Sequence, residues 1–177
     1  DDNTFSRGIT KDEYNNLIQD KNHPMIDRII SGTYPSGSVI KPIMSVAGLQ
    51  EKVITPSSKL DTSAGSIQIG QWVFPDWKVH GIADVRQAIS ESNDIFFYAL
   101  AGGYKNIKGL GVDKIGAWLQ KFGFGAPTGI DLPNESSGLI PNDEWKRKVK
   151  KEPWYIGDTY HLGIGQGYFL STPIQMA

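Results

Sequence analysis

The apolar positions of this chain fall into short periodic runs separated by glycine and proline, a pattern that predicts helices interleaved with brief strands. Val112, Ile115, Trp118, Leu119 and Phe122 mark one face of an amphipathic helix that ends at Gly123. The run from Val39 to Leu49 predicts a buried helix, with Ser45, Ala47 and Gly48 available for close packing. Ile95 to Ala101 predicts another, closing at Gly102-Gly103, and Asp84 predicts an N-cap for a helix through Ser90. Lys11 to Asp20 predicts a short polar helix, broken at Asn22-His23-Pro24. Ser66-Ile67-Gln68-Ile69 alternates with period two, and Trp72-Val73-Phe74 has strand composition. Residues 124–168 are rich in glycine and proline and read as loops, with Lys146 to Lys151 as a solvated basic stretch. Thr172-Pro173-Ile174-Gln175-Met176-Ala177 reads as a helix just starting, so the chain is expected to be a piece of a longer domain. Without internal repeats, these elements predict a mixed α/β domain and not a helix bundle.

Composition narrows the classes. With 39% hydrophobic and 21% charged residues the chain is expected to bury a core, and its net charge of −1 gives no field that would favour nucleic acid. There is no cysteine, which excludes disulfides, thiol nucleophiles and thiolate metal sites. No run approaches the roughly 18 apolar residues that span a bilayer.

Candidate chemistry begins at Ser38 and Lys41. A serine three residues before a lysine at a helix start puts both side chains on one face. Serine needs a base beside it to act as a nucleophile, and a lysine serves as that base only when neutral, a form that burial favours. The open N–H groups of the helix start could polarise a substrate carbonyl. Pro42 suits a first helical turn but disfavours helical geometry at Lys41. Taken alone, this spacing is common, and its plain reading is a capping serine beside a solvated lysine. Ser92-Asn93-Asp94 supplies a second hydroxyl between two predicted helices, where it either relays a proton or, with Asp94, caps the helix that follows.

Tyr34-Pro35-Ser36-Gly37-Ser38-Val39-Ile40-Lys41-Pro42 resembles the active-site stretch of class B penicillin-binding proteins. Ser92-Asn93-Asp94-Ile95-Phe96-Phe97-Tyr98, Thr128-Gly129-Ile130-Asp131-Leu132-Pro133 with Glu135, and Gly163-Ile164-Gly165-Gln166-Gly167-Tyr168 extend the resemblance across nearly the whole chain, most of all to the elongation-specific branch. The resemblance implies that residues 1–177 are part of a transpeptidase domain, an antiparallel sheet flanked by helices with a helical lobe, much of the sheet lying beyond Ala177. It implies Ser38 as the acylated nucleophile, Lys41 as its base, Ser92 as a proton shuttle and Asp94 at the third position of the second motif. The third family motif, Lys-Thr-Gly, does not follow Gly167, so one wall of the cleft is expected from outside this sequence.

The implied reaction is cross-linking of peptidoglycan stem peptides with no cofactor, inhibited by β-lactams. The implied partners are a glycosyltransferase and a cell-shape scaffold at the periplasmic face of the inner membrane, and not nucleic acid. Asp61, Asp76 and His80 match positions that bind zinc with a cysteine in some elongation-specific relatives. Here Asn93 stands at the fourth position, and the plainer reading is an Asp76–His80 hydrogen bond. A serine β-lactamase or penicillin sensor of the same fold, and a mainly scaffolding protein, are the alternative readings.

Overall fold

The structure, a computed structural model, describes residues 4–177. In chain order it forms α1 (Lys11–Gln19), α2 (Lys41–Gln50), β1 (Leu60–Asp61), β2 (Ser66–Ile69), β3 (Trp72–Pro75) and β4 (Ile82–Ala83). Helices α3 (Val85–Ser90), α4 (Asp94–Gly102), α5 (Val112–Lys121), α6 (Asp143–Lys150), α7 (Ile156–Gly163) and α8 (Pro173–Met176) follow. A 3₁₀ turn, Gly37–Ile40, runs directly into α2.

Helix α4 is the centre of the core. Every residue from Ile95 to Ala101 is buried, so this helix is apolar on all sides and has neighbours on all sides. Burying a Phe or Leu contributes about 1.5–3 kcal/mol, and Phe96, Phe97 and Leu100 are fully enclosed here. Its most extensive partner is α7, approached through Gly163, where a β-carbon would press into Ala101 and the Phe97 carbonyl. Helix α2 packs on α4 and α5, with Gly48 seated against Leu100. In α5 the expected stripe faces inward through Ile115 and Leu119, Trp118 reaches Glu51 at 3.0 Å, and Phe122, expected on the same face, is exposed past the helix end.

The sheet component consists of two antiparallel pairs, β1 with β4 and β2 with β3. In the β2–β3 hairpin Ile67 lies opposite Phe74, and both point into the core, while Trp72 and Val73 remain exposed. Ile67 against Gln68 and Phe74 against Val73 alternate as expected of a sheet with one wet face, whereas Trp72, on the same face as Phe74, is exposed at the hairpin end.

Two expectations are corrected. Residues 124–168 are not loop throughout, because α6 and α7 lie within them. Asn142 caps α6 by accepting from the Trp145 N–H at 2.8 Å, acidic residues fill its first turn and basic ones its last, an order that suits the helix dipole. The basic stretch is also not wholly solvated, since Lys146 is only 2% exposed.

Candidate active site

The nucleophile candidate is presented by a segment stitched to the far end of the chain. Tyr34 and Ser171 exchange backbone hydrogen bonds at 2.9 Å in both directions, and the Gly37 N–H donates to the Gly165 carbonyl at 2.9 Å. Gly165 has a φ of +70°, and a β-carbon there would overlap the Gly37 carbonyl and the Ser36 hydroxyl. Only glycine allows this contact. The segment then tightens into the 3₁₀ turn and leaves Ser38 exposed at its start. Lys41 is helical, with φ −57° and ψ −37°, despite Pro42, whose ring occupies the first turn where no N–H partner is lost.

Ser92 comes from the turn between α3 and α4. It is a non-glycine residue at φ +53°, a left-handed conformation that costs of order 1–3 kcal/mol. Asn93, neither Ser92 nor Asp94, caps α4, accepting from Phe96 N–H at 2.9 Å while its amide donates to Thr62 at 2.8 Å. This division of labour leaves Ser92 and Asp94 free to pair with Lys41. Their partner is Lys41, whose ammonium donates to the Ser92 carbonyl at 2.9 Å, to Ser92 Oγ at 3.0 Å and to the Asp94 carboxylate. Lys41 is 2% exposed and lies 5.4 Å from the centre of the Phe97 ring.

Ser92 Oγ in turn contacts Ser38 Oγ at 2.8 Å. The sequence placed Ser38 and Lys41 side by side, whereas the structure sets Ser92 between them. A continuous hydrogen-bonded path therefore runs from an exposed hydroxyl, through a half-buried one, to a buried amine with its own counter-ion. Hydroxyls can donate in either direction, so the path can carry a proton inward or outward. Nearby, burial pushes the Tyr98 phenol well above its usual 10.0, and the Asp94 and Asp76 charges add to the effect, so Tyr98 stays neutral.

The three residues considered as a metal set are not brought together as one. Asp61 is exposed on β1, where its carboxylate accepts from Ser63 N–H at 3.0 Å, and hydrogen bonds from Ser63 hold it below its usual 3.8. Asp76 accepts from the backbone N–H groups of Trp77 at 2.8 Å and Ile95 at 3.0 Å. His80 is buried with Nδ1 at 2.7 Å from Glu91, and its Nε2 lies 3.5 Å from Asp76 without forming a hydrogen bond. Among the described residues no group of three or more metal-ligating side chains converges, so the donor set does not fit zinc. What sequence reasoning missed is the contribution of Trp77, whose indole donates to the Ser92 carbonyl at 3.1 Å, and of Gly165. Gly165 stands out in the sequence only as part of the 163–168 resemblance, without a packing role, and nothing in the sequence ties Trp77 to Ser92.

Residues 6–177 match a family model described as the penicillin binding protein transpeptidase domain. The chain is similar to the peptidoglycan D,D-transpeptidase MrdA of Salmonella typhimurium, 44% identical over 99% of this chain and 28% of that protein. It is similar to MrdA of Haemophilus influenzae, 40% identical over 100% of this chain and 27% of that protein. It thus spans less than a third of the length of these relatives. Among solved structures it superimposes on Pseudomonas aeruginosa PBP2 in complex with WCK 5153, with a TM-score of 0.85 and 38% identity, covering 96% of this chain and 36% of that one. The complex between PBP2 and MreC from Helicobacter pylori gives a TM-score of 0.85 at 36% identity, covering 96% of this chain and 31% of that one.

Proposed function

The chain belongs to the penicillin-binding protein transpeptidase family, and from that membership we propose that it carries the acyl-transfer chemistry of a peptidoglycan D,D-transpeptidase, with Ser38 as nucleophile. The observation that carries this reading is the Ser38–Ser92–Lys41 path, closed by Asp94.

Ser38 Oγ attacks the carbonyl that joins the two terminal D-alanines of a stem peptide. An ester bond forms, the peptide C–N bond breaks, and D-alanine leaves as the amine. The proton of Ser38 passes through Ser92 Oγ to Lys41, which enters this step neutral, and the relay then delivers a proton to the departing nitrogen. General acid–base transfer of this kind contributes roughly 10²–10⁴-fold. An amine of a neighbouring stem next attacks the ester and loses its proton to the same relay, which restores Ser38 and closes the cross-link. Asp94 stabilises the charge that Lys41 takes on within each step, and no step runs through a metal. A β-lactam acylates Ser38 by ring opening, so its own nitrogen remains attached and cannot diffuse away.

The placement of this activity follows the relatives. A PBP2 solved in complex with MreC supports a cell-shape protein as partner, and a peptidoglycan synthase complex among the structural relatives supports a glycosyltransferase. Substrate of this kind lies outside the cytoplasm, which supports action at the periplasmic face of the inner membrane. Among the described residues no helix is long and apolar enough to cross a membrane.

The test uses a protein extended to the length of the relatives, incubated with a pentapeptide ending in D-Ala-D-Ala and an acceptor amine. Release of D-alanine together with a new amide product, both lost in Ser38→Ala, is the expected result. Activity that survives Ser38→Ala would overturn the assignment.

A further inference from the structure

Trp77 lies in the loop between β3 and β4 and is 63% exposed, so burial does not explain a tryptophan there. Its indole Nε1–H donates to the Ser92 carbonyl at 3.1 Å, the same oxygen that accepts from Lys41 Nζ at 2.9 Å. The left-handed Ser92 turn is therefore gripped from two sides by one backbone oxygen.

The indole is itself fixed from below. The Asp76 carboxylate accepts from both the Trp77 and Ile95 N–H groups, which ties this loop to the first turn of α4. The His80 ring meets the indole edge-on, 5.7 Å between centres and inclined by 73°, and Glu91 holds that ring in place. Asp76 and His80 thus tie the indole to α4 and to the segment that carries Ser92, while the Lys78 ammonium covers the ring face at 4.8 Å.

We propose that Trp77 is a positioning residue for the proton relay. By sharing the Ser92 carbonyl with Lys41 it keeps the strained turn in the one orientation that points Ser92 Oγ at Ser38 Oγ and Lys41 Nζ together. The inference rests on the reading of Ser92 as the relay hydroxyl. Losing the N–H leaves the Ser92 turn free to relax its backbone, which lengthens the 2.8 Å contact to Ser38.

The experiment replaces Trp77 with 3-benzothienylalanine, which keeps the bicyclic shape but has sulfur in place of N–H, and separately with Phe. Acylation by a penicillin is followed in the full-length protein, with the noncovalent binding constant resolved from the acylation rate constant and Tm measured alongside. Both variants are expected to slow acylation by about tenfold, a rise of roughly 1.4 kcal/mol in the barrier, with noncovalent binding unchanged and Tm lowered by no more than the few degrees that one hydrogen bond is worth. A benzothienyl variant that acylates at the wild-type rate overturns the proposal, even if Phe is slow. A loss confined to noncovalent binding also overturns it, because the ring would then touch ligand and not the relay. If the wild-type protein forms no adduct at Ser38, the underlying functional reading has failed and this inference goes with it.

Discussion

Two buried lysines in this molecule are paired in nearly the same way, and only one of them is linked to an exposed serine. Lys41 and Lys146 are each 2% exposed, each bound to an aspartate and each set against aromatic rings. Around Lys146 the contacts close on themselves. Asp158 lies at 2.6 Å, Glu152 at 3.8 Å, and the rings of Tyr155 and Tyr168 cover the remainder. Burial pushes Lys146 down, but the Asp158 hydrogen bond and charge together with the Tyr168 and Glu152 charges outweigh it and leave the amine above its usual 10.5. Around Lys41 one acceptor is the hydroxyl of Ser92, which continues to the exposed Ser38. A buried ammonium with its counter-ion is a structural clamp. It becomes part of a reaction path when an exchangeable hydroxyl links it to a nucleophile that a substrate can reach.

Exchanging each lysine for methionine probes this difference most strongly. Lys41→Met should cut penicillin acylation by about 10³-fold, within the range of lost acid–base catalysis. Lys146→Met should leave acylation per folded molecule within about twofold, a change too small to register as a lost catalytic group. Equal losses in the two variants would erase the distinction. Gly165→Ala tests whether the presentation of Ser38 is as tightly set as the relay. The added methyl displaces Gly37 and Ser36, and a shift of about 1 Å is expected to slow acylation roughly 10²-fold without altering Lys41.

Much of this contrast was readable from the residues, though unevenly. The centre of the α5 stripe, Ile115 and Leu119, and the alternation of β2 declared themselves because each has one wet and one dry face. Helix α7 did not, since it carries glycine at 157 and 163 and its buried Thr159, Tyr160, Leu162 and Gly163 do not form a narrow stripe. Helix α6 was hidden by its basic run, in which Lys146 is buried only because Asp158, on the next helix, comes to meet it. For the site, the four residues Ser38, Lys41, Ser92 and Asp94 were legible as motifs. Their order along the relay was not, because Ser92 reaches Ser38 across 54 positions of chain. The capping role of Asn93 and the indole contact of Trp77 likewise depend on how the loop folds back, which spacing does not encode.

Smaller effects sharpen the structural side of the comparison. Asp158→Asn leaves the buried Lys146 ammonium with only the more distant and exposed Glu152 as counter-ion and should cost up to about 3 kcal/mol in denaturant unfolding. Acylation per folded molecule should stay unchanged, and a parallel loss of acylation would show that the two lysines are coupled. The smallest expected effect lies in the loop at 128–135. Glu135 accepts from Thr128 Oγ1 at 2.6 Å and from the N–H groups of Thr128 and Gly129, which lower it below its usual 4.5. A depressed folded value means this contribution is complete above 4.5 and is lost as pH falls through the lower folded value. Thermal unfolding of Glu135→Gln and wild type should therefore converge in acid, and a constant gap at all pH values would contradict the assignment.

The most direct measurement is intact mass after incubation with a penicillin, followed by peptide mapping, on the full-length protein and its Ser38→Ala variant. A single adduct on the peptide that contains Ser38, absent from the variant, is the predicted result. No adduct, or one that persists in Ser38→Ala, would contradict the account.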